Sequence, residues 1–214
     1  MKNIAKNKKM TFEEMIVLKD LHTISKKISD GKDHTLILFS LSRGSDISGE
    51  FYDEGKIYFL LEGKLKFNDI SIGKGDCIAF SPKTLFNIFA IEDSFLIEVT
   101  ISGKEYKMEN LIKGEIINLK DSISYVDGAI SNIDIVSKEN LKIMVMAFDK
   151  GEGLSPHSAP GDALVIPLEG EAILSVGDKS YEIKVGEQLV FPKNIEHSVK
   201  AKTKYKMLLI LSID

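Results

Sequence analysis

The sequence has one cysteine among its 214 residues, so no disulfide can close within the chain. That residue, Cys77, lies in the apolar run Cys77-Ile78-Ala79-Phe80 and reads as a small buried side chain. Long hydrophobic runs are also missing: nothing approaches the roughly eighteen consecutive apolar residues that a membrane helix needs. Positive charge is not in excess. The 28 Lys and Arg against 32 Asp and Glu give a formal net charge of -4, which offers a polyanion no general attraction and argues against nucleic acid as a partner. The basic start, Met1 to Lys9, meets Thr11-Phe12-Glu13-Glu14 where a secretion signal requires an apolar stretch. It reads as a solvated tail on a cytoplasmic protein. A hydrophobic content of 43% with 28% charged residues is that of a globular chain, and the length suits one large domain or two small ones.

What is present is an internal repeat. Residues 36–63 align without a gap on residues 143–170 at an offset of 107, so that Gly44 meets Gly151 and Leu61-Glu62-Gly63 meets Leu168-Glu169-Gly170. The offset then becomes 111, pairing Gly75 with Gly186 and Phe80 with Phe191, as a longer hairpin in the second half requires. Each half reads as short strands punctuated by turn residues, the pattern of an all-β sandwich or barrel. Leu36-Ile37-Leu38-Phe39 and Ile143-Met144-Val145-Met146 are continuously apolar, as strands covered on both faces are. Asn68-Asp69 and Gly177-Asp178 supply hairpin turns. Thr11 and Glu14 have capping-box spacing, which allows one short N-terminal helix. Residues 103–116 read as the connection, giving domains of 1–110 and 111–214.

The second half carries a motif. Gly151 is followed by His157 and closed by Gly170; further on, Gly186, Pro192 and His197 recur with fixed spacing. This pattern resembles the two motifs of the cupin superfamily. The resemblance implies two tandem jelly-roll barrels, a bicupin, with the site in the second. It also implies four metal ligands, of which two are replaced: Ala159 stands for the second motif histidine and Ala163 for the motif glutamate. His157 and His197 remain, and two imidazoles fall short of the three protein ligands usual in catalytic metal sites. Asp162 is the nearby carboxylate that would complete a set. Five residues from His157, it faces the opposite way in a regular strand unless Pro160-Gly161 resets the alternation.

The resemblance therefore implies a ligand site at His157, Ala159, Asp162, Ala163 and His197, with one divalent metal (iron, manganese, nickel or zinc) or none. The two alanines remove side-chain volume and suit an organic ligand. A small-molecule-binding protein is the first expectation. A metal-dependent dioxygenase, isomerase or epimerase is the second, and a structural or dimerisation module the third. In the first half Glu50, Tyr52, Lys56 and Phe86 occupy the equivalent positions, either as an acid–base set or as an ion pair at a barrel mouth filled by Phe86. His34 lies outside both motifs and reads as exposed on a turn. A homodimer is expected, because the apolar strands exceed what one face of each barrel needs.

Overall fold

The computed structural model describes residues 1–102, 107–108 and 110–213. Among these, the first half contains a single helical turn, α1 (Phe12–Met15), then β1 (Thr23–Asp30), β2 (His34–Leu41), β3 (Asp46–Glu50), β4 (Gly55–Glu62), β5 (Lys64–Phe67), β6 (Ile70–Gly73), β7 (Asp76–Phe80), β8 (Phe86–Ala90) and β9 (Ser94–Ile101). Two short strands follow, β10 (Lys107–Met108) and β11 (Ile116–Asn118). The second half contains β12 (Ile130–Ser137), β13 (Leu141–Phe148), β14 (Gly153–His157), β15 (Asp162–Glu169), β16 (Glu171–Val176), β17 (Lys179–Lys184), β18 (Leu189–Phe191), β19 (His197–Ala201) and β20 (Tyr205–Ser212). The helical turn forms where the capping box stands: the Thr11 backbone N–H donates to the Glu14 carboxylate at 2.9 Å.

Each half is a two-sheet barrel, and the two have one topology. The order β1-β2-β9-β4-β7 in the first is matched by β12-β13-β20-β15-β18 in the second, and β3-β8-β5-β6 by β14-β19-β16-β17. Even the irregularities repeat at the 107-residue offset: register shifts fall at Ile47/Glu50 and Leu154/His157, and at Leu60/Glu62 and Pro167/Glu169. The hairpins explain the change of offset, since β16 and β17 have six residues each where β5 and β6 have four. Gly63 and Gly170 hold φ of 85° and 75° at the same sharp turn. A Cβ there would collide with the carbonyl oxygens of Asp93 and Lys204, so the shared Leu-Glu-Gly is a backbone requirement.

Strand alternation gives the chain three apolar cores. In β4, Tyr58 and Leu60 point into the first barrel with Phe67, Phe80 and Phe86. Ile57 and Phe59 point out, against a shared layer that includes Ile143, Val145, Ile166 and Leu208 of the second half. The second barrel encloses its own core of Phe148, Val165, Leu174, Phe191 and Met207. The outward-facing apolar residues of both barrels thus meet in a layer shared by the two halves of the chain. No helix among the described residues is long and apolar enough to cross a membrane.

The halves also trade edge strands. β11 pairs with β7, whereas the segment before α1 lies beside β18, with Met10 bridged to Gln188. β10, on the first side of the 110/111 division, pairs with β12. Part of the connection expected over 103–116 lies outside the described residues.

Two readings of the sequence are corrected here. The basic N-terminal segment is not a solvated tail: Met1 and Met10 are buried, Asn7 N–H donates to the Val190 carbonyl at 3.0 Å, and Lys9 meets Glu187 at 2.9 Å. Two of its lysines, Lys6 and Lys9, are charged partners of Asp162 and Glu187 in the second barrel. Nor is His34 exposed on a turn. It is buried between the halves, its Nε2 2.7 Å from the Ser212 hydroxyl and its Nδ1 3.1 Å from Asp33.

Candidate functional site

The second barrel brings His157 and His197 together. They are register partners on β14 and β19, with ring centroids 4.6 Å apart and planes at 58°. Inward-facing positions of β19 alternate, so His197 shares its face with Val199 and Ala201 and is buried. His157 ends β14 and is exposed at the barrel mouth. Phe191 supports His197 from one side, its ring stacked at 4.2 Å and 18°.

Both imidazoles are oriented by backbone. Nδ1 of His157 lies 2.8 Å from the Ser155 carbonyl, and Nδ1 of His197 lies 2.8 Å from the Ile195 carbonyl. A carbonyl oxygen only accepts, so each Nδ1 carries a proton, and in the neutral tautomer this leaves Nε2 bare. Burial depresses the basicity of His197 below its ordinary value, and the neighbouring His157 adds to this; the Ile195 carbonyl opposes both. In that tautomer the site is a pair of hydrogen-bond acceptors.

The other expected residues lie apart from this pair or add no donor to it. The Asp162 carboxylate is engaged elsewhere: it accepts from the Met1 ammonium, from Lys6 Nζ at 2.5 Å and from the Lys193 backbone N–H at 2.8 Å. Burial alone would raise its pKa, but these donors hold it below the ordinary carboxylate value. The chain bends at Pro160-Gly161 and passes from the sheet of β14 to that of β15, so parity does not link His157 to Asp162; within β15 Ala163 joins the barrel's apolar cluster and Asp162 faces the N-terminal segment. Ala163 packs against other side chains rather than opening space. Ala159 contributes its carbonyl, which accepts from the Asn194 N–H at 2.9 Å. Among the described residues, no three His, Cys, Asp or Glu side chains cluster as metal ligands. A divalent ion at this pair would find two imidazoles and no third protein donor, so the residues present do not fit a resident catalytic metal.

The first barrel holds a polar group that the sequence reading left out. Lys56 donates to Glu98 at 2.6 Å, and the Tyr58 hydroxyl donates to the same carboxylate at 2.7 Å. The Lys56 ammonium also lies over the Tyr52 ring at 3.9 Å. Burial, with Glu50 and Glu98, pushes the Tyr52 phenol up to about 12. Lys56 therefore pairs with Glu98 and not with Glu50, which is the register partner of Phe86. The signal was available: Glu98 interrupts Phe95-Leu96-Ile97-Glu98-Val99, a charge within a strand buried on both faces. Around it the interior is filled by rings, Phe86 stacked on Phe80 at 4.2 Å and 16° and Tyr58 4.9 Å from Phe67. Phe86 fills the volume, and the ion pair lines it.

The barrel topology agrees with the comparisons to known proteins. The cupin domain family matches residues 144–213. A cupin 2 conserved barrel domain protein from Leptotrichia buccalis is 33% identical, covering 98% of this chain and 98% of its own, with a TM-score of 0.83. This chain belongs to the cupin family. A salicylate 1,2-dioxygenase from Pseudaminobacter salicylatoxidans shares the fold at 10% identity and a TM-score of 0.61, over 84% of this chain and 71% of that one. No curated protein matches the sequence. The cupin fold fixes the barrels of this chain; its chemistry rests on the side chains within them.

Proposed function

We propose that this cupin is a small-molecule-binding protein whose ligand is held at the mouth of the second barrel by His157 and His197. The observation that supports this is the pair of bare Nε2 atoms, each oriented by a backbone carbonyl at Nδ1, on rings 4.6 Å apart. Two adjacent acceptors match a molecule with two adjacent hydroxyl donors, as in a catechol or a vicinal diol. The exposed ring of His157 admits the ligand and the buried ring of His197 receives its inner end. Ligand and protein meet directly, because Asp162 is committed to Lys6 and Lys193 and leaves the pair without a third metal ligand.

Calorimetric titration of the purified chain with catechol tests the reading. Saturable heat is expected, lost in His157→Ala and in His197→Phe. Equal heats from wild type and variants, or none from any, would contradict it. So would stoichiometric zinc uptake that catechol cannot displace, since the pair would then serve an ion rather than an organic ligand.

A further inference from the structure

A cavity lies between the barrels; it shares Gly186 with the second histidine motif, but neither His157 nor His197 lines it. It holds about 180 Å³ and is walled by matched residues of the two halves: Phe12 and Leu119, Leu61 and Leu168, Gly75 and Gly186. The last two pairs fall at the 107- and 111-residue offsets of the repeat, and Phe12 and Leu119 correspond through the edge pairings Met10–Gln188 and Ile117–Cys77, so the cleft follows from joining two copies of one barrel. Two lining residues break the match. Gln188 stands where the first half has Cys77, and Asn118 where it has Thr11.

Both bring unpartnered polar atoms. Gln188 is fully buried, and neither its Oε1 nor its Nε2 has a hydrogen-bond partner among the described residues. Its backbone is separately committed to Met10. Asn118 Nδ2 donates to the Asp76 carboxylate at 2.9 Å, which fixes the amide's orientation and leaves Oδ1 buried without a donor. Buried polar groups in folded proteins are nearly always satisfied, and two unsatisfied amides on one cavity ask for a common partner. The cavity thus offers one donor, Gln188 Nε2, and two acceptor oxygens. An anion would face both oxygens unfavourably; of the two lysines on the lining, Lys74 is held by Glu62 at 2.6 Å and Lys120 is exposed to solvent. A primary carboxamide supplies the complement, two N–H donors and one carbonyl.

We infer that the inter-barrel cleft is a binding site for a small neutral molecule bearing a primary carboxamide on an apolar body, with Gln188 and Asn118 reading the amide and Phe12, Leu119 and Leu168 holding the body. It is independent of the histidine pair. The probe is benzamide, with benzoate and toluene as controls, followed by saturation-transfer NMR and thermal melts on the full chain. Benzamide is expected to bind, benzoate and toluene at least tenfold more weakly. Gln188→Met should weaken benzamide at least tenfold and, by removing an unpaired amide, should not lower the melting temperature of the free protein. Val185→Trp, at the exposed rim, should block the cleft without disturbing either core, and His197→Phe should leave benzamide binding intact. Absence of benzamide binding, or binding undiminished by both Gln188→Met and Val185→Trp, would overturn the inference. A lowered melting temperature in Gln188→Met without benzamide binding would mean that water alone satisfies the amide, and would overturn it too.

Discussion

His197 stacks on Phe191 with centroids 4.2 Å apart and planes at 18°, and in the other barrel Phe86 stacks on Phe80 at 4.2 Å and 16°. The same geometry carries an imidazole in one half and a phenyl ring in the other. Packing therefore does not require histidine at this place, and the chemistry of the ring is what separates the halves.

His197→Phe should fold and melt close to wild type, because it copies an arrangement the chain already contains. Phe86→Ala should cost about 3–5 kcal/mol, as truncating a buried aromatic does, and leave catechol binding unchanged. Urea unfolding and calorimetry on the two variants check this; loss of catechol binding in Phe86→Ala would place the site in the wrong barrel.

The depressed basicity of His197 makes stability depend on pH. The unfolded chain takes up this proton near 6.5 and the folded chain only below it, so stability is full above 6.5 and falls as pH drops through the folded value. Carboxylates titrate lower, near 4. From pH 7 to about 5.5 the melting temperature of wild type should decline more steeply than that of His197→Phe. Parallel slopes would show that His197 is not the group responsible.

The buried ion pair of the first barrel is a structural device in this account. Glu98→Leu strands the Lys56 ammonium and the Tyr58 hydroxyl and should cost about 3–5 kcal/mol. The triple variant Lys56→Met, Tyr58→Phe, Glu98→Leu removes every stranded group and should recover most of that loss, with catechol binding unaffected. Chemical denaturation measures both.

Met10 and Gln188 exchange backbone hydrogen bonds of 2.9 and 2.7 Å, the counterpart of Ile117 beside Cys77 in the first barrel. Each barrel is thus closed by a segment belonging to the other side of the chain, and a common core lies between them. Met10→Ala should cost about 2–5 kcal/mol and lower the stability of both barrels together. Amide exchange followed separately in each half is the measurement, and two independent unfolding events would contradict it.

The repeat, the barrels and the histidine pair were legible because they rest on local signals: glycines at sharp turns, period-two apolar strands and motif spacing. What was not legible depends on parity and on contacts between distant segments. Asp162 reads as a candidate ligand until its strand's alternation shows the carboxylate turned to Lys6. Lys6 and Lys9 read as solvated because their partners, Asp162 and Glu187, lie more than 150 residues away. His34 reads as exposed beside Gly31-Lys32-Asp33, yet its partner Ser212 comes from the last strand. Glu98 was passed over although it interrupts an apolar run.

The imidazole nitrogens themselves give the most direct test. Long-range proton–nitrogen NMR near neutral pH should show both His157 and His197 with a protonated Nδ1 and a bare Nε2, and added catechol should shift both Nε2 resonances in concert while His22 and His34 stay still. Bare Nδ1 atoms, or a catechol titration that leaves His157 and His197 unmoved, would contradict the assignment of ligand binding to this pair.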